Sequence, residues 1–217
     1  MTAGSERSRV RRVSERAAYE RATIDAILDE ALVCHVAFTD DGLPVVIPTL
    51  HARVEDHVYL HGSVAGRLMR TLAAGAPVAV AVTLIDGLVL ARSAFHHSMN
   101  YRSVVLFGTA EAIEDRQPKL AAMKALTEKL IPGRWDSIRP PSDAEFRQTL
   151  MVRIPIDEAS AKIRNGPPGD DEADLERGVW AGVVPLSLRA GPAEPDPGLP
   201  DAVEIPAHIR RLVERFC

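Results

Sequence analysis

Residues 32–63 read LVCHVAFTDDGLPVVIPTLHARVEDHVYLHGS, and this stretch decides the fold class. It divides into strand, Asp-Asp-Gly turn, strand, Val-Glu-Asp turn and strand. In its last segment His57, Tyr59 and His61 fall on one face, while Val58 and Leu60 fall on the other, the alternation of a half-buried strand. Connections this short join antiparallel strands, because parallel pairing needs a crossover of a dozen residues or more. The chain is therefore expected to be α+β, an antiparallel barrel rather than a doubly wound sheet.

The flanking segments extend that pattern. Upstream, AAYERATIDAILDEA (17–31) places Tyr19, Ile24, Ile27 and Leu28 at helical spacing. Downstream, SVAGRLMRTLAAGA (63–76) is a short helix with Ser63 as candidate N-cap and Gly75 near its stop. PVAVAVTLI (77–85) is an apolar run suited to a strand buried on both faces, GLVLARSA prolongs it past Asp86-Gly87, and YRSVVLFGTAEAIED is a further long strand. A helix follows, with Leu120, Met123, Leu126 and Leu130 on one side and Pro132 at its end. Then come a long loop with one helical turn (133–148), the strand TLMVRIPI, an acidic loop and a last strand in VWAGVVPLSL. Residues 1–16 read as a basic flexible tail, 17–190 as the folded domain, and 191–217 as a Pro-rich linker with a small amphipathic helix.

Bulk properties narrow the function. The 217 residues are 46% hydrophobic and 26% charged with a net charge of −4, which gives no electrostatic support for nucleic-acid binding. No run has membrane-spanning length and the N-terminus lacks an apolar signal core, so the expectation is a cytoplasmic protein with no membrane partner. The two cysteines, Cys34 and Cys217, share no metal-like spacing and are not expected to pair.

Three kinds of chemistry can be weighed from motifs. His96 and His97 are adjacent, so in regular strand geometry they face opposite ways and do not share a metal ion; no His-Glu-x-x-His or Cys-x-x-Cys accompanies them. Nucleophilic catalysis lacks a Gly-x-Ser-x-Gly elbow, and neither a Walker loop nor a Gly-x-Gly-x-x-Gly is present. Anion binding remains: HGSVAGRLMR (61–70) puts Gly62 and Ser63 where a strand turns into a helix, with Arg67 and Arg70 in its first turns. A phosphate suits this place, and so does a capped surface helix with solvated arginines. Asn100, Tyr101, Arg102 and Ser103 form a second polar group, either ligand-contacting or a plain strand start.

Taken in order, GLPVVIPTLHARVEDHVYLHGSVAGRLMRTL, PVAVAVT, FHHSMNYRSVVLFGTAE, SAKIRNGPP and VWAGVVPL resemble the pyridoxamine 5'-phosphate oxidase-like split-barrel flavoproteins. The likeness is to their flavin-nucleotide-binding branch, which includes nitroimidazole-resistance proteins. It implies a six-stranded antiparallel split β-barrel with flanking helices, and a homodimer with FMN at the subunit interface. It also implies an oxidoreductase acting on a small-molecule substrate, with a nicotinamide or another compound as electron donor. The same superfamily includes binders of deazaflavin F420, FAD or haem, and a carrier or sensor without turnover is the non-enzymatic counterpart. By position, the flavin-flanking strand corresponds to Ile47, Pro48, Thr49 and Leu50. The phosphate turn corresponds to His61, Ser63, Gly66 and Arg67, with Arg70 nearby. The ring and dimer-side contacts correspond to Arg102 and Ser103, preceded by Asn100 and Tyr101. No catalytic side chain is assigned. Leu68 stands where the oxidases carry a second basic residue. Arg164 stands at their tryptophan, and no Arg-Leu-His run follows, so pyridoxamine phosphate oxidation is not expected.

Overall fold

Local chemistry accounts for most elements of the computed structural model, which describes residues 5–200 and 202–216. After a two-residue strand β1 (Ala17–Ala18), helix α1 (Arg21–Glu30) buries Ile24, Ile27 and Leu28 on one stripe. Strands β2 (Val33–Asp40) and β3 (Leu43–Leu50) form a hairpin whose turn residues, Asp41 and Gly42, both have positive φ, 48° and 76°. Asp-Gly tolerates that backbone, and the resulting twist matches the strands and sets Asp40 opposite Leu43. Strands β4 (Ala52–Val54) and β5 (His57–Ser63) repeat the device through Glu55, φ 51°. Helix α2 (Arg67–Ala73) leads to β6 (Pro77–Leu90), β7 (Ser98–Thr109) and β8 (Glu111–Ala112). Helices α3 (Arg116–Leu130) and α4 (Asp143–Gln148) precede β9 (Thr149–Pro155) and β10 (Glu158–Arg164), and β11 (Gly182–Pro185) and α5 (Ala207–Arg215) close the chain.

Every ladder is antiparallel, as the short turns require. One sheet runs β1-β10-β7-β6-β2-β3 with β11 also on β6, and the other runs β4-β5-β9-β8. The two face each other across a shared core that includes Val36, Val58, Leu60, Val80, Val82, Leu106 and Ile154, all essentially inaccessible. Burying each such side chain is worth roughly 1.5–3 kcal/mol. No ladder joins β3 to β5, and this seam is the split in the barrel. The α+β split barrel expected from the sequence is present, with eleven strand segments among the described residues rather than six, four of them the short β1, β4 and β8 and the late β11.

Two strand boundaries differ from expectation. Residues 77–90 form one strand that continues past Asp86-Gly87, as expected, but stops at Leu90, short of Ala94; Asp86-Gly87 is a bulge at which the register with β7 shifts. The first half of β6 pairs with β2 and the second half with β11, so a single edge serves two partners. A Cβ at Gly87 would lie 3.0 Å from the Val184 carbonyl oxygen, which explains a glycine where β11 approaches. Second, β7 begins at Ser98, three residues before the expected Tyr101, and Ala94–His96 ahead of it is a 3-10 turn.

Residues 5–16 lie along the barrel. Val10 N–H donates to the Tyr19 hydroxyl at 2.9 Å, Lys162 donates to the Arg12 carbonyl at 2.9 Å, and Arg7 pairs with Glu158 while covering the Phe107 ring at 4.7 Å. At the other terminus the Phe216 carbonyl accepts from Ala190 N–H at 3.1 Å. Among the described residues no helix is long and apolar enough to cross a membrane.

The C-terminal end of α1 is closed by side chains from distant segments. Buried His51 places Nε2 3.0 Å from the Leu28 carbonyl, and Lys129 of α3 donates to the same oxygen at 2.9 Å and to the Asp29 carbonyl. These bonds satisfy carbonyls that a helix end otherwise leaves open. Burial pulls His51 down to about 4 and Lys129 to about 8.

Candidate functional site

The turn from β5 to α2 is built by close packing. A Cβ on Gly62 would sit 2.7 Å from Met69 Cγ, so the end of β5 lies directly on α2. Ser63 does not cap the helix: Gly66 occupies the N-cap position, and the Ser63 hydroxyl accepts from Ala65 N–H at 3.2 Å inside the turn. The Ser63 carbonyl accepts from Gly66 N–H at 2.8 Å. This arrangement leaves the Arg67 guanidinium 55% exposed, with only a loose approach of 3.6 Å to Asp40. Arg70, one turn on, is exposed and has no ionic partner among the described residues. The turn thus presents two cations to solvent, as an anion site requires.

Beside it runs β3, the outer strand of its sheet, with Ile47, Pro48, Thr49 and Leu50 at its end. Pro44 and Pro48 fit an edge strand, where a missing N–H breaks no interior ladder. Leu50 and His61 meet in one cleft of about 530 Å³, roofed by α3 and by the loop carrying Trp135 and Ile138, with Met123 and Leu130 on its apolar walls. Its size and lining suit a small organic ligand. The His61 ring has no hydrogen-bond partner among the described residues, and desolvation lowers its pKa.

The 100–103 group lies on the other sheet. Asn100 is buried, donates to the Gly166 carbonyl at 3.2 Å and accepts from Arg164, which also donates to the carbonyls of Gly166 and Pro167. This clip fixes the chain leaving β10. Ser103 donates to the Lys162 carbonyl at 3.2 Å, across the β7–β10 ladder. Arg102 donates to Asp86 through Nε at 3.0 Å and Nη2 at 2.7 Å, and to Glu30 at 2.8 Å. Hydrogen bonds donated to Glu30 and then to Asp86 raise the Arg102 pKa, and Arg102 lowers that of Glu30. Arg102 lines a second cleft of about 850 Å³ with His35, Ile85, Arg215 and Phe216.

Within one chain the predicted residues therefore fall into two groups. Ile47–Leu50 and His61–Arg70 flank the seam, whereas Asn100–Ser103 belong to the β6–β7 face. The cleft roof from α3 to α4 escaped the sequence reading, although a tryptophan inside a long Gly- and Pro-containing loop is a usable signal. Trp180 is 66% exposed and packs its ring against Gly182. His96 approaches Asp171 at 3.2 Å and His97 Nδ1 approaches the Ser93 carbonyl at 2.8 Å, so the two rings have different partners. Cys34 is buried, which pushes its thiol up to about 12, and Cys217 lies outside the described residues. No cluster of three or more metal-ligating side chains occurs among the described residues.

The family described as pyridoxamine 5'-phosphate oxidase matches residues 20–163. No curated protein matches the chain. Among solved structures, the chain is similar to the flavocytochrome Anf3 from Azotobacter vinelandii, with 40% identity, a TM-score of 0.92, and coverage of 100% of this chain and 99% of that one. It is similar to the FAD and heme binding protein from Mycobacterium smegmatis, with 39% identity, a TM-score of 0.88, and coverage of 91% and 97%. A candidate 5-nitroimidazole antibiotic resistance protein from Bacteroides thetaiotaomicron aligns at 25% identity with a TM-score of 0.56, covering 68% of this chain and 86% of its own.

Proposed function

The chain belongs to the pyridoxamine 5'-phosphate oxidase family, and from that premise we propose that it is a homodimeric flavin-dependent redox protein that also carries haem. The near-full-length likeness to a flavocytochrome and to a protein that binds FAD and haem supports both groups, and favours FAD over the FMN expected from the sequence. The observation that carries the reading is the β5–α2 turn. One flank offers the exposed Arg67 and Arg70 to an anionic group, and the other offers the unpartnered imidazole of His61 to an apolar cleft. Arginine forks suit flavin phosphates, and a neutral imidazole in apolar surroundings is the donor haem iron takes.

When bound, these groups supply electron exchange with a small organic substrate and one-electron transfer between them. The residues of the chain bind, orient and shield. Arg67 and Arg70 hold phosphate, and the outer edge of β3 at Ile47–Leu50 offers unpaired backbone groups to the flavin. The apolar residues lining the cleft lower the His61 pKa by desolvation, while the residue itself keeps contact with solvent.

A second copy brings the two groups of site residues together. Val33, Val46, Ile85 and Met99, on β2, β3, β6 and β7, are 46–59% exposed and provide an apolar contact surface. The reaction in the family's name is not part of this reading, because Leu68 and Arg164 replace the residues it uses. Titration of apoprotein with FAD, FMN and hemin tests the proposal: FAD fluorescence should be quenched and a Soret band should grow in, each to one equivalent per chain. Protein that takes up neither group contradicts it.

A further inference from the structure

We propose that His61 is the axial ligand of the haem iron, with the haem seated in the cleft between α3, the Trp135 loop and the β5–β9 ladder; this rests on the haem reading above. Five of the other six histidines are committed or closed off. His51 binds the Leu28 carbonyl inside the core, His57 packs edge-on against Tyr59, His96 pairs with Asp171, and His97 binds the Ser93 carbonyl. His208 has its Nε2 buried inside the protein, closed to a ligand from outside. His35 remains, exposed on β2 in the cleft that holds Arg102, Glu30, Asp86 and Arg215.

His61 differs from His35 in its surroundings. Its ring has no hydrogen-bond partner among the described residues, and it lines one cleft with Met123, Leu130, Trp135 and Ile138. Haem needs such an apolar slot, with a cation near its carboxylates, and Arg139 is the one arginine or lysine lining this cleft. Arg139 is held by Glu145 through two bonds of 2.7 Å, which positions its guanidinium at the wall.

The location also gives β5 a double role. His61 lines the α3 cleft, while Arg67, six residues on, approaches Asp40 at the end of β2. One short stretch of chain would thus contribute a residue to each site. This reassigns His61 from the phosphate turn, where position alone had put it, to the second cofactor.

The full-length apoprotein should be titrated with hemin and followed by its Soret band and by electron paramagnetic resonance of the ferric form. His61→Gly should weaken hemin uptake at least tenfold while its flavin content stays at the wild-type level, and added imidazole should restore the Soret band. Leu130→Glu, which puts a carboxylate in the cleft wall, should weaken uptake without removing the ligand. An unchanged Soret band and unchanged resonance in His61→Gly overturn the assignment, as does loss of the band in His35→Ala alone. Wild-type protein that takes up no hemin instead defeats the haem reading itself, so the two failures are distinguishable.

Discussion

Arg102 binds Asp86 through two nitrogens, at 3.0 and 2.7 Å, so that a β7 side chain grips the carboxylate at the β6 bulge. The same guanidinium reaches Glu30 at the end of α1. It is 30% exposed in its side chain, so solvent screens part of the attraction. Arg102→Ala leaves two carboxylates facing each other and should cost about 1 kcal/mol in chemical denaturation. Adding Glu30→Gln should return part of that loss, and strict additivity of the two substitutions would show that the residues do not interact.

Arg67 carries the second prediction. A charge-assisted bond is worth roughly 1.5–3 kcal/mol, so Arg67→Ala should weaken flavin binding on the order of 10–150-fold at low salt. Raising the salt should narrow the gap, because the guanidinium is mostly exposed. Equal affinities by fluorescence titration would remove Arg67 from the site.

How much of this was legible in the sequence depends on distance along the chain. The Asp41-Gly42 hairpin and the stripe of Ile24, Ile27 and Leu28 are local patterns, and they were readable. The strand was expected to run past Asp86-Gly87, but that these residues form a bulge shows only in their pairing with β7 and β11. His96-His97 was read as regular strand, yet Ser93–His97 coils into a turn that the Ser93 carbonyl stabilises. The resemblance assigned a phosphate turn by position, but it could not show that Glu30 and Asp86, far apart in sequence, converge on Arg102. The cleft at His61 was invisible for the same reason: its wall comes from residues 123–151, and its character depends on how α3 lies over the β5–β9 ladder.

Gly62 gives a prediction about packing. With Met69 Cγ 2.7 Å from the position of an added Cβ, Gly62→Ala must displace a buried side chain of α2. The cost should be about 1–3 kcal/mol in denaturant midpoint, the usual range for overpacking. Since α2 carries Arg67, flavin affinity should fall as well. A variant as stable as the wild type would show that Met69 moves freely.

His51 sets a dependence on pH. Its pKa is lowered from 6.5 to about 4 by burial, so between these values the unfolded chain takes up a proton that the folded chain refuses. Stability should therefore fall as pH drops from about 6.5 toward 4 and level off below, by about 3 kcal/mol in all at 1.36 kcal/mol per unit. His51→Gln can still donate to the Leu28 carbonyl and does not titrate, so its stability curve should be flatter over that interval. Parallel curves for the two proteins would contradict the buried, neutral imidazole.

The absorption spectrum of the protein isolated from cells supplied with haem precursors tests the central claim most directly. The account predicts flavin bands and a Soret band in the same dimer peak from gel filtration, with FAD as the flavin released by acid. A colourless monomer that acquires neither band on incubation with FAD and hemin would contradict it.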